Sequence, residues 1–88
     1  MSHQGLTKLI EECGEVTQVA AKLQAYPDGN HPDGAGNLLL RLEDEIADLT
    51  AAISFVIDKH KLDEQRMFAR AQKKRGLYDQ WDVGVTTG

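Results

Sequence analysis

A single cysteine, Cys13, among 88 residues excludes a bridge within the chain, so no disulfide framework supports the fold. The lone thiol suits a reducing compartment, and a cytoplasmic setting is expected. Prolines number two and aromatic residues make up 6%, leaving little to interrupt helices and few large rings for a core. No apolar run approaches the roughly 18 residues of a membrane span, and the N-terminus lacks the apolar stretch of a secretory signal. Basic residues are also short, 10 against 14 acidic for a net charge of −4, which excludes the basic face of a general nucleic-acid binder. Neither a membrane nor a nucleic acid is expected as a partner. No internal repeat or low-complexity stretch is visible.

What is present is helical periodicity. Within an expected helix over about residues 3–24, Leu6, Leu9, Cys13, Val16, Ala20 and Leu23 recur at gaps of three and four, the spacing of one helical face. Tyr26, Pro27, Asp28, Gly29 and Asn30 stop this helix, and His31 to Gly36 keeps the chain irregular. A connection of this length between helices is unusual and suggests a use beyond connecting. Asn37 is the expected N-cap of a second helix over 37–60. Leu38, Leu39, Leu42, Ile46, Leu49, Ile53, Val56 and Ile57 give it a wide apolar arc, with Leu40 and Phe55 elsewhere on its circumference. An arc that wide needs cover on more than one side, which predicts a dimer, or a dimer of dimers, with this helix at its centre. Asp63 is positioned to cap a third helix over 64–75, with Gly76 as its C′ residue. The expectation is an all-α fold, a three-helix protomer forming a four-helix-bundle-type core by dimerisation, with one domain over 1–81 and a mobile tail over 82–88.

The acids are arranged less ordinarily. At about 100° per residue, Glu45 falls inside the apolar arc of helix two and Asp48 at its edge, while Glu12 borders the apolar stripe of helix one with Glu15 beside it. A charged carboxylate in an apolar stripe is costly unless a basic partner, a raised pKa or a metal ion compensates it. Glu12/Glu15 and Glu45/Asp48 are two i,i+3 pairs, and bringing them together across a helix contact places four negative charges in one cleft. Clustered oxygen ligands select hard ions such as Mg²⁺ or Mn²⁺. Glu11, Glu43 and Asp44 point away from the core, as solvated acids do.

Glu11-Glu12-Cys13-Gly14-Glu15 followed by Glu45-Ile46-Ala47-Asp48 resembles the E-E-x-x-E … E-x-x-D signature of the all-α nucleoside triphosphate pyrophosphohydrolases, which include MazG, dimeric dUTPases, dCTPases and phosphoribosyl-ATP pyrophosphatases. Residues 9–16 with Lys22 look most like the small single-domain MazG-like proteins, many of them phage-encoded. Residues 42–52 and the stretch Arg70 to Arg75 with Trp81 extend the resemblance over most of the chain. The 29 residues between Glu15 and Glu45 stand at or slightly past the long end of the family's spacing, with the added length in the loop. The resemblance implies a Mg²⁺-dependent cleavage of a nucleoside triphosphate to the monophosphate and pyrophosphate. It makes Glu12, Glu15, Glu45 and Asp48 the metal ligands, with Glu11 orienting or deprotonating the attacking water.

No nucleophilic side chain adjoins the acids, since Cys13 reads as core-facing and no serine is near; water is the expected nucleophile. Lys22, Arg70 and Lys73 are the expected phosphate-binding cations. Tyr26, His31, Tyr78 and Trp81 are available for a base. A di-iron carboxylate bundle is excluded, because it requires Glu-x-x-His pairs and none of His3, His31 and His60 completes one. The competing readings are a non-catalytic helical dimer acting as an interaction module, and the same fold acting on phosphoribosyl-ATP.

Overall fold

The structure, a computed structural model, describes residues 3–87, with the backbone alone for 83–87. Its order is α1 (Leu6–Ala25), α2 (Leu38–His60) and α3 (Glu64–Thr87), with no strand among the described residues. An isolated antiparallel bridge joins Asn30 to Asn37 across the base of the α1–α2 loop. No helix is long and apolar enough to cross a membrane among the described residues.

The caps follow from local chemistry. Asn37 leaves the helix in an extended conformation, and its side-chain oxygen accepts from the Leu39 and Leu40 amides at 2.8 and 3.3 Å. Two of the otherwise unpaired first-turn donors of α2 are satisfied this way. Asn37→Ala is therefore expected to cost about 1 kcal/mol, within the ~0.5–2 kcal/mol span of N-cap deletions, read as a lower urea midpoint at unchanged m. At the other end Lys61 takes a left-handed conformation and its amide returns to the Ile57 carbonyl, closing α2. Asp63 then accepts from the Arg66 amide at 3.0 Å and opens α3.

α1 and α2 pack antiparallel along their length. Their contact buries Val19 from α1 and Leu38, Ala52 and Val56 from α2, with Leu9, Val16, Leu23, Leu42 and Leu49 half-buried around them. The α1 face differs from the expected stripe. Leu9, Val16 and Leu23 belong to it, but Leu6, Cys13 and Ala20 are exposed, and the face is completed by Glu12 and Val19. Val19 buries more apolar surface than Ala20, so the helix is rotated toward it. Cys13 is thus not core-facing, and Glu12 stands within the packed face rather than at its border.

α3 corrects a second expectation. It does not end at Arg75 but runs through Gly76 and Trp81 to Thr87, so 82–87 are helical and only Gly88 of the expected tail lies outside the described residues. A lone glycine inside a helix costs about 1 kcal/mol, too little to stop one flanked by good helix formers. The Arg75 guanidinium and the Asp79 carboxylate, 3.1 Å apart at i,i+4, bridge across it. α3 packs extensively on neither other helix and buries none of its described side chains. The Cα radius of gyration is accordingly 16.0 Å, against about 12 Å for a compact chain of this length.

Candidate metal centre

In an antiparallel pair, residues advancing along α1 meet residues retreating along α2. Glu12 therefore comes level with Asp48, and Glu15 with Glu45. Oxygens of Glu12, Glu45 and Asp48 lie within 4.8 Å of one another, close enough for one ion to touch all three. Glu12 and Glu45 are half-buried and Asp48 is exposed. None of these three, nor Glu15, makes a hydrogen bond or ion pair among the described residues. Glu15 is exposed and outside the 4.8 Å group, yet its charge reaches the site. Burial pushes the Glu45 carboxyl above the usual glutamate range, and the charges of Glu15, Asp48, Glu12 and Asp44 push it further.

The donor set fits a hard divalent cation: all oxygen, anionic, drawn from two rigid helices, and short of positive charge. No described residue supplies softer ligands here, since Cys13 is exposed and outside the group. Beside the carboxylates an open cavity of about 410 Å³ is lined by Gly5, Lys8, Glu12, Asp48, Ala51 and Phe55. Gly5 is needed where it is: its φ is +86°, and a Cβ would sit 2.5 Å from the Phe55 ring. The cavity is acidic on one side and apolar on the other, a shape that suits an amphipathic small molecule.

The remaining expected site residues are placed differently. Glu11 lies outside the carboxylate group, its Oε1 3.2 Å from the Lys8 ammonium. Glu11, and more weakly Glu12 and Asp48, hold Lys8 more firmly protonated than an ordinary lysine. Arg70 and Lys73 line a small groove with Lys74 and Leu77, all on α3, and within one protomer they are not part of the α1–α2 site. Lys22 is not free for a ligand: it donates to Asp33 at 3.1 Å. Arg41 donates to both oxygens of the same carboxylate at 3.3 and 3.2 Å. The Ala35 amide, together with Lys22 and Arg41, holds the Asp33 carboxyl far below the usual aspartate range. Tyr26 packs edge-on against His31 with ring centroids 4.7 Å apart, and Tyr78 lies 5.3 Å from Trp81 on α3.

Arg41 and Asp33 were not anticipated as site residues. Arg41 carries a readable signal, standing four residues before Glu45 and so on the same face of α2. Asp33 carries none, because only the closed loop brings it to α1 and α2. In comparisons with known proteins, the chain matches no family model, no curated protein and no solved structure.

Proposed function

We propose that the chain is a divalent-metal-dependent hydrolase of nucleoside triphosphates, releasing the nucleoside monophosphate and pyrophosphate. The observation that carries this reading is the convergence of Glu12, Glu45 and Asp48 within 4.8 Å from two helices, with no cationic partner of their own. The order of these acids along the chain, with Glu15, resembles the pyrophosphohydrolase signature. Glu12, Glu45 and Asp48 would hold Mg²⁺ or Mn²⁺, with Glu15 as a further ligand or as added negative charge. An ion held there would supply a lowered pKa for an adjacent water and positive charge against the phosphates. Glu45, whose ionisation is costly without a cation nearby, would have that cost offset by such an ion. Lys8 lines the cavity beside Glu12 and Asp48, and Glu11, fixed by Lys8, orients the attacking water at the cavity rim. The water oxygen attacks the α-phosphorus, the bond to the bridging oxygen breaks, and pyrophosphate leaves. The apolar wall of Ala51 and Phe55 receives the flatter part of the nucleotide.

The protein acts as a homodimer. Its accessible surface is 7007 Å², whereas a folded monomer of this mass exposes about 5,100 Å². The excess is of the size that obligate dimers bury. A second copy covering α2 and α3 also gives Arg70 and Lys73 a route to the partner's carboxylates, which one protomer alone does not offer.

Pyrophosphate release from a panel of NTPs and dNTPs, with Mg²⁺ or with EDTA, tests the reaction. Release is expected only with metal, with a monophosphate as co-product, and is expected to fall by at least about a hundredfold in Glu12→Gln, a loss in the range of removing one transition-state charge stabiliser. Absence of release from every nucleotide and from phosphoribosyl-ATP at high enzyme concentration would leave the helical interaction module in its place.

A further inference from the structure

Lys22 and Arg41 continue the groove that holds the acids. Arg41 stands one turn before Glu45 on α2, about 6 Å along the axis, and Lys22 two turns after Glu15 on α1, about 10.5 Å along it. The two cations therefore lie at one end of a line of carboxylates, within reach of an anion whose other end lies over the acids. In this structure their anion is Asp33, and it is held in a polyanion's manner: Lys22 from one helix, both carboxylate oxygens to Arg41 from the other. The side chains of Lys22, His31, Asp33 and Arg41 keep only 20–33% of their exposure, so the pairing is partly sheltered from solvent.

The loop is built so that this contact can open alone. Its base is pinned independently: Leu38 donates to the Gly29 carbonyl at 2.8 Å, and Asn30 and Asn37 form their bridge. Above that base, among the described residues, the Asp33 carboxylate makes the only hydrogen bonds from residues 31–36 to α1 and α2. The other hydrogen bonds of the apex are local: Asp33 N–H to His31 Nδ1 and Ala35 N–H to Asp33 Oδ1, each 3.1 Å, and Gly34 N–H to the His31 carbonyl at 3.4 Å. Gly34 and Gly36, at φ +71° and +104°, flank Ala35 in the left-handed region that glycine enters without strain. Releasing one carboxylate thus leaves the apex resting on the Tyr26–His31 ring contact while both helix ends stay capped.

We propose that Asp33 is an internal substitute for a phosphate group, a latch occupying the Lys22–Arg41 anion site until the pyrophosphate portion of a polyphosphate displaces it and frees the loop apex. This rests on the proposed hydrolase reading for the ligand's class, and it gives the long loop a use beyond connecting. The closed latch excludes anions, and its return expels the pyrophosphate product. Arg41 becomes a binding residue for the leaving group, and Asp33 a positioning residue that competes with it.

The test uses the full-length protein, inorganic pyrophosphate as probe, and EDTA at fixed ionic strength, so that no metal or turnover is involved. Calorimetry of wild type, Asp33→Asn, Lys22→Gln and Arg41→Gln reads the affinity. A latch open about one-tenth of the time weakens the apparent affinity about tenfold, so Asp33→Asn is expected to bind about tenfold tighter and the two cation variants weaker than wild type. In wild type alone, saturating pyrophosphate is expected to speed hydrogen exchange of the Ala35 amide, whose local bond to Asp33 loses the support of Lys22 and Arg41, while the Leu39 amide stays protected. Binding by Asp33→Asn that is no tighter than wild type, or an Ala35 amide unmoved by pyrophosphate, overturns the latch. The second readout needs no variant and so survives a folding defect in Asp33→Asn. Because the metal-binding and turnover assays are separate, a working latch without catalysis, or catalysis without a latch, identifies which reading has failed.

Discussion

Replacing Glu45 by glutamine is expected to make the metal-free protein more stable and to weaken its binding of metal by at least about tenfold. Glu45 faces α1 from the middle of α2, half-buried, with Glu12 and Asp48 within 4.8 Å and Glu15 near enough to raise its pKa. A carboxyl whose folded pKa lies above its ordinary 4.5 binds a proton more readily in the folded chain than in the unfolded one. Its ionisation therefore opposes folding at every pH above the folded value, and the cost is relieved as pH falls through that raised value toward 4.5. Metal-free wild type should gain stability on mild acidification in that window. Glu45→Gln removes that component of the slope and starts from a higher melting temperature at pH 7. With Mg²⁺ or Mn²⁺ present the order reverses. Wild type should gain stability in proportion to RT ln(1 + [M]/Kd), while the variant, missing one of the three proposed ligands, should bind at least about tenfold more weakly, since loss of even outer-shell support costs ~10–100-fold. Melting curves of both proteins across pH, with and without metal, decide it. A variant less stable than wild type in EDTA, or equally stabilised by metal, would remove the carboxylates from the role of metal centre.

The inward-facing position of that glutamate was legible because a period of 3.6 residues is a strong geometric constraint over a 23-residue helix. The Asn37 cap was legible for a similar reason, since its chemistry is local. The face of α1 was read less well. Its candidate stripes share Leu9, Val16 and Leu23, and the choice between Cys13 with Ala20 and Glu12 with Val19 depends on what α2 presents opposite. Periodicity favoured the uninterrupted apolar set, whereas packing selected the face that buries Val19 and brings Glu12 level with Asp48. The end of α3 was misread because Gly76 is an ambiguous signal, a helix stop only where the following residues cannot continue the helix. Leu77, Tyr78, Asp79, Gln80 and Trp81 can. Asp33 was beyond reach: its three side-chain partners lie 2, 8 and 11 residues away, and only a folded loop fixes which of the loop's acids meets them.

A dimer-breaking substitution is expected to have a still larger effect on the fold. Phe68 is 64% exposed and, with Met67, faces Ile53 and Ile57 across an open cleft between α2 and α3. A single protomer leaves this cleft unfilled, and α3 has no buried side chain of its own among the described residues. An unsupported helix of this length is marginal in water, the more so with glycine at position 76. If a second copy fills the cleft, α3 is helical because the dimer makes it so. Phe68→Asp places a charge where the proposed dimer would pack the second copy's apolar surface, so the expected outcome is a monomer by sedimentation. α3 contributes 24 helical residues, against 20 and 23 in α1 and α2, so up to about a third of the helical circular dichroism should be lost with it. The wild-type melting temperature should rise with protein concentration, as an obligate dimer requires, and that of the variant should not. Metal binding separates the two levels of structure: the three converging carboxylates belong to one protomer, so a monomer retaining the α1–α2 pair should still take up Mn²⁺. A wild-type protein that sediments as a monomer at 100-fold dilution with full helicity would show that α3 stands without a partner, and the surface excess would then need another cause.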